Sequence, residues 1–113
     1  MAAVTKHLTF GVTCSATYEP PYLLARKFSS LDHLTSGRVG WNIVTSYSEA
    51  AARNLGKQQQ LTPLERYDMA DEFFDLVCRL LESWEPDAVV MDRENGIFVD
   101  HTKVHPVNFE GRF

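Results

Sequence analysis

The sequence predicts an α/β fold assembled from βα units. Two observations carry that reading. Apolar runs at residues 8–14 (LTFGVTC) and 39–45 (VGWNIVT) begin about thirty residues apart, the spacing a parallel strand pair with a crossover helix requires. Each run is followed by a proline-marked helix start, at Pro20-Pro21 and at Thr62-Pro63. Right-handed units of this kind build either an open doubly wound sheet or a closed barrel.

The first strand lies between polar flanks. Leu24, Phe28 and Leu31 then recur at helical spacing, with Leu23 and Leu34 beside them, and Gly37 marks the end of that helix. Residues 39–45 form the second strand. Asn42 is its one strongly polar member, so it reads as a strand covered on both faces, as in a parallel sheet under helices. Thr62, Pro63 and Glu65 compose a capping box at the start of the second helix. Ala70, Phe73, Val77, Leu80 and Trp84 give that helix one apolar stripe, while Asp68, Asp71, Glu72, Asp75 and Arg79 take its solvent side. Pro86 closes the segment. Asn95-Gly96 signals a hairpin between AVVMD and IFVD, and the tail from His101 to Phe113 reads as irregular.

Composition bounds what such a domain does. The 113 residues suffice for one small domain and carry a net charge of -4. Lys6, Arg26, Lys27, Arg38 and Arg53 are scattered, and phosphate binding needs a clustered basic face, so no nucleic-acid partner is expected. No apolar stretch approaches the ~18 residues of a membrane span, so no membrane partner is expected either. Cys14 and Cys78 match no metal or redox spacing, and the N-terminus has no signal-peptide pattern. Both cysteines read as reduced, in a cytoplasmic protein.

Groups with chemistry gather just beyond the two strands. Thr13, Cys14 and Ser15 follow the first, and Thr45, Ser46 and Tyr47 the second, so both sets face one rim. In a barrel that rim is where ligands bind. Taken alone, Thr13 and Thr45 are ordinary strand-end residues, and Tyr67 in a helix's first turns is more often packing than ligand. Asn42 says more, because an amide within an apolar strand must find a partner. Cys14 has no histidine nearby in sequence to activate it. His101 and His105 are four apart, but on a loop-like segment, so no metal site is assigned. A Rossmann domain is disfavoured, since GVTCSATYEPP holds one glycine and lacks G-x-G-x-x-G.

Several motifs are distinctive: PPY-x-x-AR-x-F, LD-x-L-x-x-GR-x-x-WN-x-VTS, AARN-x-G and ERYD-x-A-x-EF, followed by SWEPDAVVMDRENGIFVD and KVHPVNFEGRF. They resemble the flavin-dependent monooxygenases of the luciferase-like superfamily, in the branch of nitrilotriacetate monooxygenase component A and dibenzothiophene-sulfone monooxygenase. The resemblance runs from about residue 8 to the end of the chain. It implies a (β/α)8 TIM barrel that uses reduced FMN, supplied by a separate flavin reductase, and O2 to cleave C–N or C–S bonds in a small organic substrate. It places cofactor contacts at Thr13, at the position occupied by Pro63 (histidine in many relatives), and at Tyr67, with Asn42 bordering the flavin. No catalytic residue is assigned.

Two departures qualify these expectations. Proline at 63 can neither donate a hydrogen bond nor move a proton. A barrel needs about 250 residues, so residues 1–113 form a single partial luciferase-like monooxygenase domain of about two βα units plus a C-terminal hairpin excursion. The chain therefore reads as an internal piece of the fold. The alternative function is a truncated, catalytically inactive remnant. A homo-oligomer is the expected assembly.

Overall fold

The structure, a computed structural model, describes residues 1–113. Strand β1 spans Phe10–Ser15, helix α1 Pro21–Thr35, β2 Val39–Val44, α2 Glu49–Asn54, α3 Pro63–Leu81, β3 Val89–Asp92 and β4 Ile97–Val99. Short 3-10 turns cover Ala2–Val4 and His101–Lys103. Strands β1 and β2 pair in parallel from Phe10↔Val39 through Ser15↔Val44, as the βα order requires, and Thr13 and Thr45 lie towards the same end. The result is a partial barrel: two parallel strands with helices on one side.

Alternation along the strands sorts their side chains. Val12, Cys14, Val39 and Trp41 pack on a core of Leu24, Ala25, Phe28, Ala70, Phe73 and Val77 from α1 and α3. The Trp41 ring lies 5.8 Å from Phe73 and 6.1 Å from Phe28, centroid to centroid. Gly11, Thr13, Gly40 and Asn42 occupy the opposite face and are exposed. The expectation that β2 is covered on both faces therefore fails. Its run looks apolar throughout because Gly40 carries no side chain, and no element of this chain lies over that face.

Helix α1 ends through two left-handed residues, Ser36 at φ 54° and Gly37 at φ 80°, with the Gly37 N–H donating to Asp32 O at 3.1 Å. This extra turn is the hydrogen-bonding pattern in which glycine avoids Cβ crowding.

The capping box of α3 forms as read. Thr62 Oγ1 accepts from the Glu65 N–H at 3.4 Å, and Glu65 Oε2 accepts from the Thr62 N–H at 2.9 Å. The Thr62 hydroxyl also donates to Glu65 Oε2 at 2.6 Å, and this bond first, then that from the Thr62 N–H, holds the Glu65 carboxyl below its ordinary value of 4.5. A depressed acid contributes stability above its ordinary pKa and loses it as pH falls. The cap is thus expected to be intact at neutral pH and to open as pH drops through 4.5 and below. Thr62→Ala should cost about 1 kcal/mol at pH 7. Thermal melts at pH 7 and at a pH below 4.5 check this, with the difference between wild type and variant shrinking in acid.

Other elements refine the sequence reading. Helix α3 stops at Leu81, and Trp84, assigned to its stripe, instead forms an isolated bridge with Val104. Leu76 joins the buried face. Glu72, expected in solvent, is half-buried and accepts from the Arg112 N–H, because the tail returns along α3. Phe113 there meets Phe73 edge-on at 5.4 Å. The hairpin forms around Asn95-Gly96 as expected, with Asp92 Oδ1 accepting the Glu94 and Asn95 N–H groups. Beyond His101–Lys103 the tail is irregular.

The molecule is open for its size. Its accessible surface is 8464 Å², against roughly 6,300 Å² for a compact monomer of this mass. Its radius of gyration is 17.2 Å, against about 13 Å for a compact domain of this length. No helix is long and apolar enough to cross a membrane.

Candidate flavin-facing site

Parallel pairing sets Thr13 directly beside Asn42 on the open sheet face. Asn42 Nδ2 donates to Thr13 Oγ1 at 3.0 Å. This bond is the partner that an amide in an apolar strand needs. It leaves the Thr13 hydroxyl proton free to donate and Asn42 Oδ1 free to accept. The pair therefore presents a donor and an acceptor side by side. Two residues back along each strand, on the same face, Gly11 faces Gly40. A Cβ at Gly11 would meet nothing within 4 Å, and one at Gly40 only Phe10 O at 4.0 Å. The two glycines make a flat floor beside the polar pair.

The rim past the strand ends is knitted by hydroxyls. Ser15 Oγ accepts from the Thr17 N–H at 3.2 Å and from Ser46 Oγ at 2.9 Å. Thr17 Oγ1 donates to Thr45 O. Ser46 is held at φ 54°, in the left-handed region that a β-carbon disfavours. Its hydrogen bond to Ser15 accompanies that conformation and ties the loop after β2 to the loop after β1. Further out, Gln60 Nε2 donates to Tyr18 Oη at 2.6 Å, and the Gln60 N–H donates to Glu49 Oε2 at 3.0 Å. The segment before α3 is thereby tied to the loop after β1 and to the start of α2. The bonded side chains in this rim are neutral hydroxyls and amides, Glu49 excepted.

The four sequence-assigned residues do not converge equally. Thr13 and Asn42 meet. Pro63 and Tyr67 occupy the exposed first turns of α3, Tyr67 at 61% exposure, and no hydrogen bond links either to the strand pair. Cys14 points the other way, into the helix-facing core, so it is no rim nucleophile. Ser15 and Ser46 were placed on the rim by their position after the strands. Thr17, Tyr18 and Gln60 had no such signal, because their partners lie 28 and 42 residues away.

The family model described as luciferase-like monooxygenase matches residues 1–113. The chain is 56% identical over its whole length to the dimethyl-sulfide monooxygenase of Hyphomicrobium sulfonivorans and covers 24% of that protein. It is 53% identical to the dibenzothiophene-sulfone monooxygenase of Rhodococcus erythropolis, again over its whole length, and covers 25% of that protein. A crystal structure of riboflavin lyase with modified FMN and riboflavin superposes with a TM-score of 0.90 at 43% identity, over 98% of this chain and 25% of that one. A parallel β-pair under two helices, with a polar rim, is a segment of an α/β barrel. The chain belongs to the luciferase-like monooxygenase family. It spans about a quarter of the length of the relatives it matches.

Proposed function

We propose that this chain is the flavin-facing segment of an FMNH2-dependent monooxygenase. Reduced FMN, delivered by a separate flavin reductase, supplies the electrons that activate O2 for oxidation of a small organic substrate at a C–N or C–S bond. The observation that carries this reading is the Thr13–Asn42 pair on the open sheet face. Its adjacent donor and acceptor match the alternating C=O and N–H groups along the pyrimidine edge of an isoalloxazine. The Gly11–Gly40 floor leaves room for a flat ring system. The residues present thus fit one edge of the cofactor. Thr13 and Asn42 would bind and orient that edge, the Ser15–Ser46 clasp would hold their strand ends in place, and Tyr67 would offer its hydroxyl from α3. Pro63 supports the cofactor only by shape. The cytoplasm and a homo-oligomeric state belong to the same reading.

A second reading, an inactive remnant, is favoured by Pro63, which can neither donate a hydrogen bond nor move a proton. Flavin binding tests the Thr13–Asn42 pair on which the first reading rests. A few neutral hydrogen bonds at about 1 kcal/mol each do not offset the roughly 4 kcal/mol or more that association costs. The chain alone is therefore expected to bind FMN with a Kd above about 100 μM. Titration followed by flavin fluorescence checks this. Thr13→Val and Asn42→Leu should each weaken what binding exists. Binding indifferent to both substitutions would remove the pair from the site. Micromolar binding lost in Thr13→Val would show a site already sufficient for the cofactor.

A further inference from the structure

The Asn95-Gly96 step at the tip of the β3–β4 hairpin holds a chemistry that the turn does not use. Asp92 pairs with Ile97, so residues 93–96 form the connecting loop. Asn95 and Gly96 are both exposed. Gly96 is left-handed at φ 71°, while Asn95 is not. The step therefore lies outside the tight two-residue turn in which both residues are left-handed.

The atoms that could react are unengaged. The Gly96 N–H donates to no acceptor in the chain. Asn95 Nδ2 donates to Asp92 Oδ2 at 2.7 Å, and the Asn95 N–H donates to Asp92 Oδ1 at 3.1 Å. The side-chain amide is thus held by its NH2 group, with its carbonyl free. A β-carbon at Gly96 would meet nothing within 4 Å, so no packed segment shields the nitrogen, and glycine brings no side chain of its own to hinder approach. Of the asparagines, Asn95 alone precedes glycine; Asn42, Asn54 and Asn108 precede Ile43, Leu55 and Phe109.

We propose that Asn95-Gly96 is a self-modification site, whose conversion to aspartate and isoaspartate opens the β3–β4 hairpin. Solvent hydroxide takes the Gly96 N–H proton, and the nitrogen bonds to Asn95 Cγ. The side-chain NH2 takes a proton from water and leaves as ammonia, returning the hydroxide. Water then opens the cyclic imide. Opening at Cγ gives aspartate; opening at the main-chain carbonyl gives isoaspartate, with the chain rerouted through the side chain. The reaction needs only water and these two residues, and it shares no residue with the flavin-facing site. Either product puts a carboxylate where an amide donated to Asp92. Asp92 is charged at neutral pH, held below its ordinary value of 3.8 by the Asn95 side chain first and then by the Asn95 N–H. The loop also carries Glu94 against one cation, Arg93. Like charges then meet where a hydrogen bond stood. The ladder behind them is short and irregular between Val89↔Val99 and Asp92↔Ile97, and a two-stranded hairpin has little stability to oppose that repulsion.

The full chain held in mildly alkaline buffer, then mapped by mass spectrometry of its peptides, tests this. Residue 95 should convert at least about tenfold faster than Asn42, Asn54 or Asn108, because glycine alone leaves the attacking nitrogen unhindered. Both isomers should form there, and isoaspartate methyltransferase should methylate the converted chain at that residue. Asn95→Gln should remain unmethylated at that position. Asn95→Asp should exchange its β4 N–H groups with solvent at least about tenfold faster than the unconverted chain, as local opening requires. Conversion at residue 95 no faster than at the other asparagines would overturn the proposal. So would aspartate without isoaspartate, which marks direct hydrolysis, or β4 exchange unchanged in Asn95→Asp.

Discussion

The chain on its own should not travel as a 12.9 kDa monomer with a sharp unfolding transition. Its parallel sheet, β1–β2, has two strands and therefore two unpaired edges, each a row of N–H and C=O groups that seeks another strand. The face bearing Gly11, Thr13, Gly40 and Asn42 is open, and the surface exceeds that of a compact domain by about a third. Isolated two-stranded sheets are marginal in water. Sedimentation velocity should therefore show self-association, and urea melts should be broad and dependent on concentration. A monodisperse monomer with a steep two-state melt would contradict this and would mean that α1 and α3 hold the strands unaided.

Phe73→Ala should have the largest effect of any single substitution. Phe73 is fully buried at the centre of α3, with Trp41 on one side and Phe113 edge-on at the other. Deleting a buried phenylalanine ring costs about 3–5 kcal/mol in transfer and cavity energy. Whole domains are stable by only about 5–15 kcal/mol, and this one has few buried residues to draw on. The expected result is loss of the near-ultraviolet circular dichroism of Trp41 and of most helical signal at 25 °C. Tyr67→Phe, on an exposed turn of the same helix, should stay within about 0.5 kcal/mol of wild type. A Phe73→Ala protein that keeps its aromatic signal would place the core elsewhere.

What could be read in advance depended on range. The box at Thr62 and Glu65, the left-handed exit at Gly37 and the turn at Asn95-Gly96 are signalled within four residues of where they act, and all appear. The parallel pair was legible because its spacing and alternation are properties of two short runs. Helix α2 was missed: six residues, EAAARN, are too few to show a stripe, and its cap, Ser48, follows an unremarkable loop. The Ser15–Ser46 and Thr17–Thr45 ties were out of reach for a different reason. Hydroxyls are common at strand ends, and which of them meet depends on a register that only the packed sheet establishes. The Glu72–Arg112 contact spans 40 residues and had no local sign at all. Thr13 and Asn42 stand between these cases. Each was singled out separately, but their mutual bond follows only once β1 and β2 are aligned.

That alignment also says how the chain must fold. Every paired position in the β1–β2 ladder is separated by the same interval, from Phe10↔Val39 to Ser15↔Val44. The first pair to form closes a loop of nearly thirty residues, at an entropic cost of about 3 kcal/mol beyond a constant term. Each later pair closes almost nothing further. The ladder therefore assembles as one event, across a loop most of which α1 occupies in the folded chain. A slip of one residue would turn Asn42 into the core and Trp41 into water. Trp41, seated between Phe28 and Phe73, thus acts as the alignment pin of the fold: it admits one register and makes its neighbours too costly to populate.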